Sequence, residues 1–142
     1  MAQSSARGLA TGDYDNDGAV DLVITNMNDR LSLVRNTVHN GNSGLTLRLI
    51  GQKSNRDGIG AKIRVRVGAR TLLQEVRSGS TFMSQSDLRQ QFGLGSSQSA
   101  EAIEIDWPSG TKERIGSTAG GRIVTITEGR GVTGSAPYKV VH

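Results

Sequence analysis

Four carboxylates stand at a spacing that suits a cation: Asp13, Asp15, Asp17 and Asp21, in the stretch Gly12-Asp13-Tyr14-Asp15-Asn16-Asp17-Gly18-Ala19-Val20-Asp21. Counted from Asp13 they hold positions 1, 3, 5 and 9, with Gly18 at position 6. Alternate carboxylates on a wrapped loop converge on one point, and glycine at position 6 permits the sharp turn. The carbonyl at position 7, from Ala19, then turns inward as a fifth ligand. Four carboxylates, a carbonyl and water match the roughly six to eight oxygens that Ca2+ takes, whereas Mg2+ demands a smaller and stricter octahedron. Without a cation, carboxylates this close repel one another. The plain alternative is a solvated acidic turn.

The elements on either side of the loop must be strands. Position 12 is Ile24, where an EF-hand carries a bidentate Glu, and Leu22-Val23-Ile24 is apolar and β-branched rather than helical. The rest of the chain alternates with period two. Leu45, Leu47 and Leu49 form one such set, Ile63, Val65 and Val67 a second, and Ile103, Ile105 and Trp107 a third. A shorter run covers Ile123 to Ile126. Asp57-Gly58, Val67-Gly68, Ser78-Gly79, Ser109-Gly110 and Gly120-Gly121 punctuate the runs as turns. The expected fold is mostly β: a β-sandwich-like body preceded by the acidic loop and its strands. One helical turn is expected near residues 84–91, capped by Ser84 or Ser86.

The chain of 142 residues carries a net charge of +4, unevenly spread. Residues 1–43 hold three basic and five acidic side chains, and the remainder fourteen and eight. That asymmetry divides it into an N-terminal unit over 1–43, a body over 44–130 and a Gly/Ser/Thr-rich flexible tail over 131–142, with the linker at His39 to Gly44. There is no cysteine, which excludes disulfides, thiolate zinc and a cysteine nucleophile. No apolar run is long enough for a membrane-spanning helix, so no membrane insertion is expected. Met1 to Asp17 has no apolar segment of the kind a signal peptide needs.

Other residues offer weaker chemistry. Arg48, Lys62, Arg64 and Arg66 share the solvent phase of their strands and would form a polyanion-binding face if those strands are neighbours. Asn55, Arg56 and Asp57 sit in a turn that could hold a ligand, although a structural turn explains them as well. Phe92 and Leu94 read as core. Trp107 reads as buried, with a sugar-stacking platform as the alternative. Nucleic acid is a poor partner, because only Tyr14, Phe82, Phe92, Trp107 and Tyr138 could stack on bases. The two histidines, His39 and His142, lack a nucleophile or an orienting carboxylate at motif spacing, and no enzymatic activity is expected.

Residues 12–23, with Leu31-Ser32-Leu33-Val34-Arg35-Asn36 after them, resemble an FG-GAP (VCBS-type) repeat. That family carries a calcium loop of this form between propeller strands, which implies calcium roles for Asp13, Asp15, Asp17, Asp21 and the Ala19 carbonyl. From about Leu45 to Gly129 the chain resembles the ASPIC/UnbV domain, through Ser54-Asn55-Arg56-Asp57-Gly58-Ile59-Gly60-Ala61, Ser78-Gly79-Ser80 with Ser84-Gln85-Ser86, Phe92-Gly93-Leu94-Gly95 and Trp107-Pro108-Ser109-Gly110. The pair is similar to the cartilage acidic protein family and its bacterial homologues. It implies a secreted or periplasmic, calcium-dependent, non-catalytic adhesion or recognition module with a protein or glycan partner. One repeat cannot close a propeller of typically 4–8 blades, so its strands are expected to pair with the sandwich or with another copy of the chain.

Overall fold

The computed structural model describes residues 6–38, 40–79 and 84–139, and these contain thirteen strands and no helix. The strands are β1 (Ala6–Gly12), β2 (Asp21–Asn26), β3 (Ser32–Val34), β4 (Ser43–Ile50), β5 (Lys62–Val67), β6 (Arg70–Glu75), β7 (Gln90–Gly95), β8 (Ser99–Ala100), β9 (Ala102–Asp106), β10 (Lys112–Ile115), β11 (Thr118–Ala119), β12 (Arg122–Thr127) and β13 (Gly131–Pro137). The N-terminal unit is an antiparallel sheet of order β1-β2-β3. The body is built from two four-stranded sheets, β13-β12-β4-β7 and β10-β9-β5-β6, with β8 and β11 as a small ladder beside them.

The period-two runs place one face of each large sheet against the other. Leu45, Leu47, Leu49, Phe92, Leu94, Val124 and Ile126 from the first sheet share one buried core with Ile63, Val65, Val67, Ile103 and Ile105 from the second. Each such side chain contributes about 1.5–3 kcal/mol when fully buried. The pairing of β4 with β12 is parallel, with Leu45 opposite Arg122 and Ile50 opposite Thr127. Trp107 continues the inner phase of β9 and is 3% exposed, with its Nε1 donating to Glu113 Oε2 at 2.6 Å. The indole is therefore core and not a stacking platform. The hairpin at Trp107 to Gly110 is present, closed by the Gly110 N–H on the Trp107 carbonyl at 2.9 Å.

Two local expectations are corrected. Residues 84–91 form no helical turn. The Asp87 N–H donates to the Thr11 carbonyl at 2.8 Å, residues 88–89 bend, and β7 starts at Gln90, so the segment runs beside β1 without a helical turn. Hydrogen bonding to a neighbouring strand overrides the local capping signal of Ser84 and Ser86. The flexible tail expected over 131–142 is corrected over its described part: Gly131–Pro137 is a strand paired antiparallel with β12. Gly129 and Gly131, at φ 74° and 68°, reverse the chain tightly, and Thr127 Oγ1 meets Thr133 Oγ1 at 2.8 Å. The glycines that suggest fraying are what makes the return possible. His39, Ser80, Phe82 and His142 lie outside the described residues.

Candidate cation site

Gly12 stands opposite Asp21 across β1 and β2, so the acidic loop is the connection of that hairpin. The loop curls through two residues in the left-handed region, Asn16 at φ 61° and Gly18 at φ 90°. Its carboxylates hold the curl. Asp13, 1% exposed, accepts the Asp17 N–H on Oδ1 at 3.1 Å and the Gly18 N–H on Oδ2 at 2.9 Å. Asp17 Oδ1 accepts the N–H of Ala19 at 2.8 Å. Asp21, also buried, accepts the Tyr14 N–H at 3.2 Å and, from the far side of β3, the Asn36 N–H at 2.8 Å.

Carboxylate oxygens of Asp13, Asp15 and Asp21 lie within 4.8 Å of one another. Arg35 meets the cluster from outside, its Nε 2.8 Å from Asp15 Oδ2 and its Nη2 3.7 Å from Asp17 Oδ2. Asp15 Oδ1 and Asp17 Oδ2 are nevertheless buried with no hydrogen-bond donor, and the Asp17 side chain is only 2% exposed. Burial pushes the Asp13 carboxyl above its ordinary range. The Gly18 and Asp17 amides pull it back down, and the charge on Asp17 adds to the rise. Orphaned, buried, negatively charged oxygens are costly, and a hard divalent cation is the partner such donors suit.

The body grips this loop. Arg89 donates from Nη1 to Asn16 Oδ1 at 2.6 Å and from Nη2 to the Asp13 carbonyl at 2.7 Å. The Lys139 N–H donates to the Asn16 carbonyl at 2.8 Å. The Tyr138 ring lies against Gly18, where a Cβ would collide with it. Along β1, the Thr11 N–H donates to Ser86 Oγ at 3.2 Å, and Ser84 Oγ donates to the Leu9 carbonyl at 2.9 Å. The N-terminal strands thus keep a sheet of their own, order β1-β2-β3, and β1 meets the body through hydrogen bonds to residues 84–87 rather than by joining a sandwich sheet. Neither Arg35 nor Arg89 was legible as part of the site, because the contact of Arg89 with Asn16 spans 73 residues and no local spacing signals it.

The remaining candidates are dispersed. Arg48 lies on the outer face of β4, whereas Lys62, Arg64 and Arg66 lie on the outer face of β5, in the opposite sheet. The four do not form one basic face, because their strands are not neighbours. Two of them are also paired, Arg64 with Asp106 at 2.8 Å and Arg66 with Glu101 at 3.1 Å. In the turn, Asn55 is engaged internally, its Nδ2 donating to the Ile59 carbonyl at 2.7 Å and its Oδ1 accepting the Ile59 N–H at 2.9 Å. Arg56 and Asp57 are exposed beside it.

One further carboxylate escaped the sequence reading. Glu128, 3% exposed, accepts the N–H groups of Gln52, Lys53 and Ser54 on Oε2, each at 2.8 Å. Its Oε1 accepts the hydroxyls of Ser54 and Ser109. Burial alone would raise its pKa, but the Ser109 hydroxyl and the three amides outweigh burial and bring it down to about 2. Glu128 therefore ties the turn after β4 to the β9–β10 hairpin.

The ASPIC and UnbV family model matches residues 51–133. No curated protein matches the chain. The match covers more than half of the sequence, and the chain belongs to the ASPIC and UnbV family.

Proposed function

We propose that this ASPIC and UnbV chain is a non-catalytic, calcium-binding recognition or adhesion module of an extracellular or periplasmic protein. Ca2+ would be held by the carboxylates of Asp13, Asp15, Asp17 and Asp21 and the carbonyl of Ala19. The observation that carries this reading is the pair of buried carboxylate oxygens, Asp15 Oδ1 and Asp17 Oδ2, left without donors inside a converging acidic loop. The resemblance of residues 12–36 to an FG-GAP-type repeat supports the same ligand set. The cation supplies charge neutralisation and folding energy rather than chemistry on a substrate. A protein or glycan partner would then meet a surface that the cation has fixed.

Titration calorimetry tests the reading. One Ca2+ per chain is expected, with weaker Mg2+ binding, and none in an Asp15→Asn/Asp17→Asn variant. A folded wild-type chain that binds no Ca2+ at millimolar concentration would refute it.

A second reading, self-assembly through a strand edge, is favoured by β3. Its three residues are all exposed, and Leu31, Leu33 and Val34 present apolar surface beside its open edge. Light scattering that shows oligomers independent of Ca2+, dispersed by Leu33→Lys, would support it. A monomer at all concentrations would remove it. Among the described residues no helix is long and apolar enough to cross a membrane.

A further inference from the structure

We infer that Arg89 is a positioning residue for the cation loop, so that Ca2+ binding and the seating of the N-terminal unit on the sandwich strengthen each other. The inference rests on the proposed cation site and adds to it a residue of the body. Arg89 spends its guanidinium on three partners at once: Asp87 Oδ2 at 2.6 Å through Nε, Asn16 Oδ1 at 2.6 Å through Nη1 and the Asp13 carbonyl at 2.7 Å through Nη2. Neither loop acceptor is a proposed ligand atom. The contacts fall on the backbone of position 1 and the side chain of position 4, behind the carboxylates that converge on the cation.

The grip is shared and oriented. Asp87 aims the guanidinium and neutralises its charge, and the Asp87 N–H is itself bonded to Thr11, two residues before the loop. Lys139 holds the carbonyl of Asn16, and Tyr138 covers Gly18. Positions 1, 4 and 6 of the loop are thus fixed by groups from residues 87–89 and 138–139, far away in sequence. Groups that orient ligands from behind typically alter metal affinity about 10–100-fold when removed. Because coupling is reciprocal, a cation that fixes the loop must equally favour the docked arrangement. A planar fork makes these bonds together, and a lysine ammonium has no such geometry.

The test uses the full chain. Calorimetric Ca2+ titrations would compare wild type with Arg89→Met and Arg89→Lys, and hydrogen exchange of wild type would be followed with and without Ca2+. The expected result is at least about tenfold weaker Ca2+ binding in Arg89→Met with incomplete rescue by Arg89→Lys. Exchange should slow at the amides of Asp87 and Lys139 as well as within the loop. Equal affinity in wild type and Arg89→Met would overturn the inference and leave the cation site standing. Protection confined to residues 14–19 would overturn it too, and this readout decides the matter if Arg89→Met fails to fold. A wild type that binds no Ca2+ would remove the site and the inference together.

Discussion

Tyr138 lies with its ring against the backbone of Gly18, leaving no room there for a Cβ. The hydroxyl of the same ring meets Thr46 Oγ1, a buried group on the outer face of β4, at 2.8 Å. One side chain therefore bridges the acidic loop and the sandwich. The glycine that the loop needs for its turn is also the glycine that lets the body approach.

Gly18→Ala is expected to lower stability by about 1–3 kcal/mol, since alanine at φ 90° is strained even before it meets the ring. Tyr138→Phe should cost about 1 kcal/mol through the lost bond to Thr46. Urea unfolding of the two variants checks both values. A neutral Gly18→Ala would mean that the loop and Tyr138 do not pack as described.

Glu128→Gln should destabilise the body by about 2–3 kcal/mol at neutral pH, because it removes a buried charge that several donors converge on. The pH dependence has a defined sign. Glu128 is depressed from 4.5 to about 2 in the folded chain, so its contribution is fully present above about pH 4.5 and is lost as pH falls towards 2. Urea midpoints of wild type and variant should differ most above pH 4.5 and converge near pH 2. A difference independent of pH would contradict the assignment.

The basic residues of β5 should matter little. Arg64 is paired at the surface with Asp106 and Glu104, where water and salt screen the attraction. Arg64→Gln combined with Arg66→Gln is expected to leave the melting midpoint and the salt needed to elute the chain from heparin almost unchanged. A large drop in elution salt would restore the polyanion reading.

What could be read in advance was what local pattern controls. The alternation at Ile63, Val65 and Val67 and at Ile103, Ile105 and Trp107 predicted both the strands and their buried faces, because a half-buried strand writes its burial every second residue. The spacing of Asp13, Asp15, Asp17 and Asp21 marked a loop in which Asp13, Asp15 and Asp21 do turn towards one another, whereas Asp17 bonds the Ala19 N–H and faces Arg35. The partners of those residues were hidden. Arg89 lies in a segment that reads as a helical turn but bends beside β1, where the Asp87 N–H bonds the Thr11 carbonyl. Glu128 opens the turn after β12 and looks like any solvated acid until the turn at 52–54 folds over it. Arg48 and Arg64 share a solvent phase, but sequence says nothing of which sheet each strand joins.

The most direct measurement is a thermal melt of the chain in EDTA, then in excess Ca2+ or Mg2+, beside an Asp15→Ala/Asp17→Ala variant. A cation bound to the folded state adds about 2.7 kcal/mol at a hundredfold excess over Kd. The midpoint should rise clearly with Ca2+, less with Mg2+, and not at all in the variant. An unchanged midpoint in a cooperatively folding wild type would contradict the account, leaving Asp13, Asp15, Asp17 and Asp21 as a turn held by its own amides and Arg35.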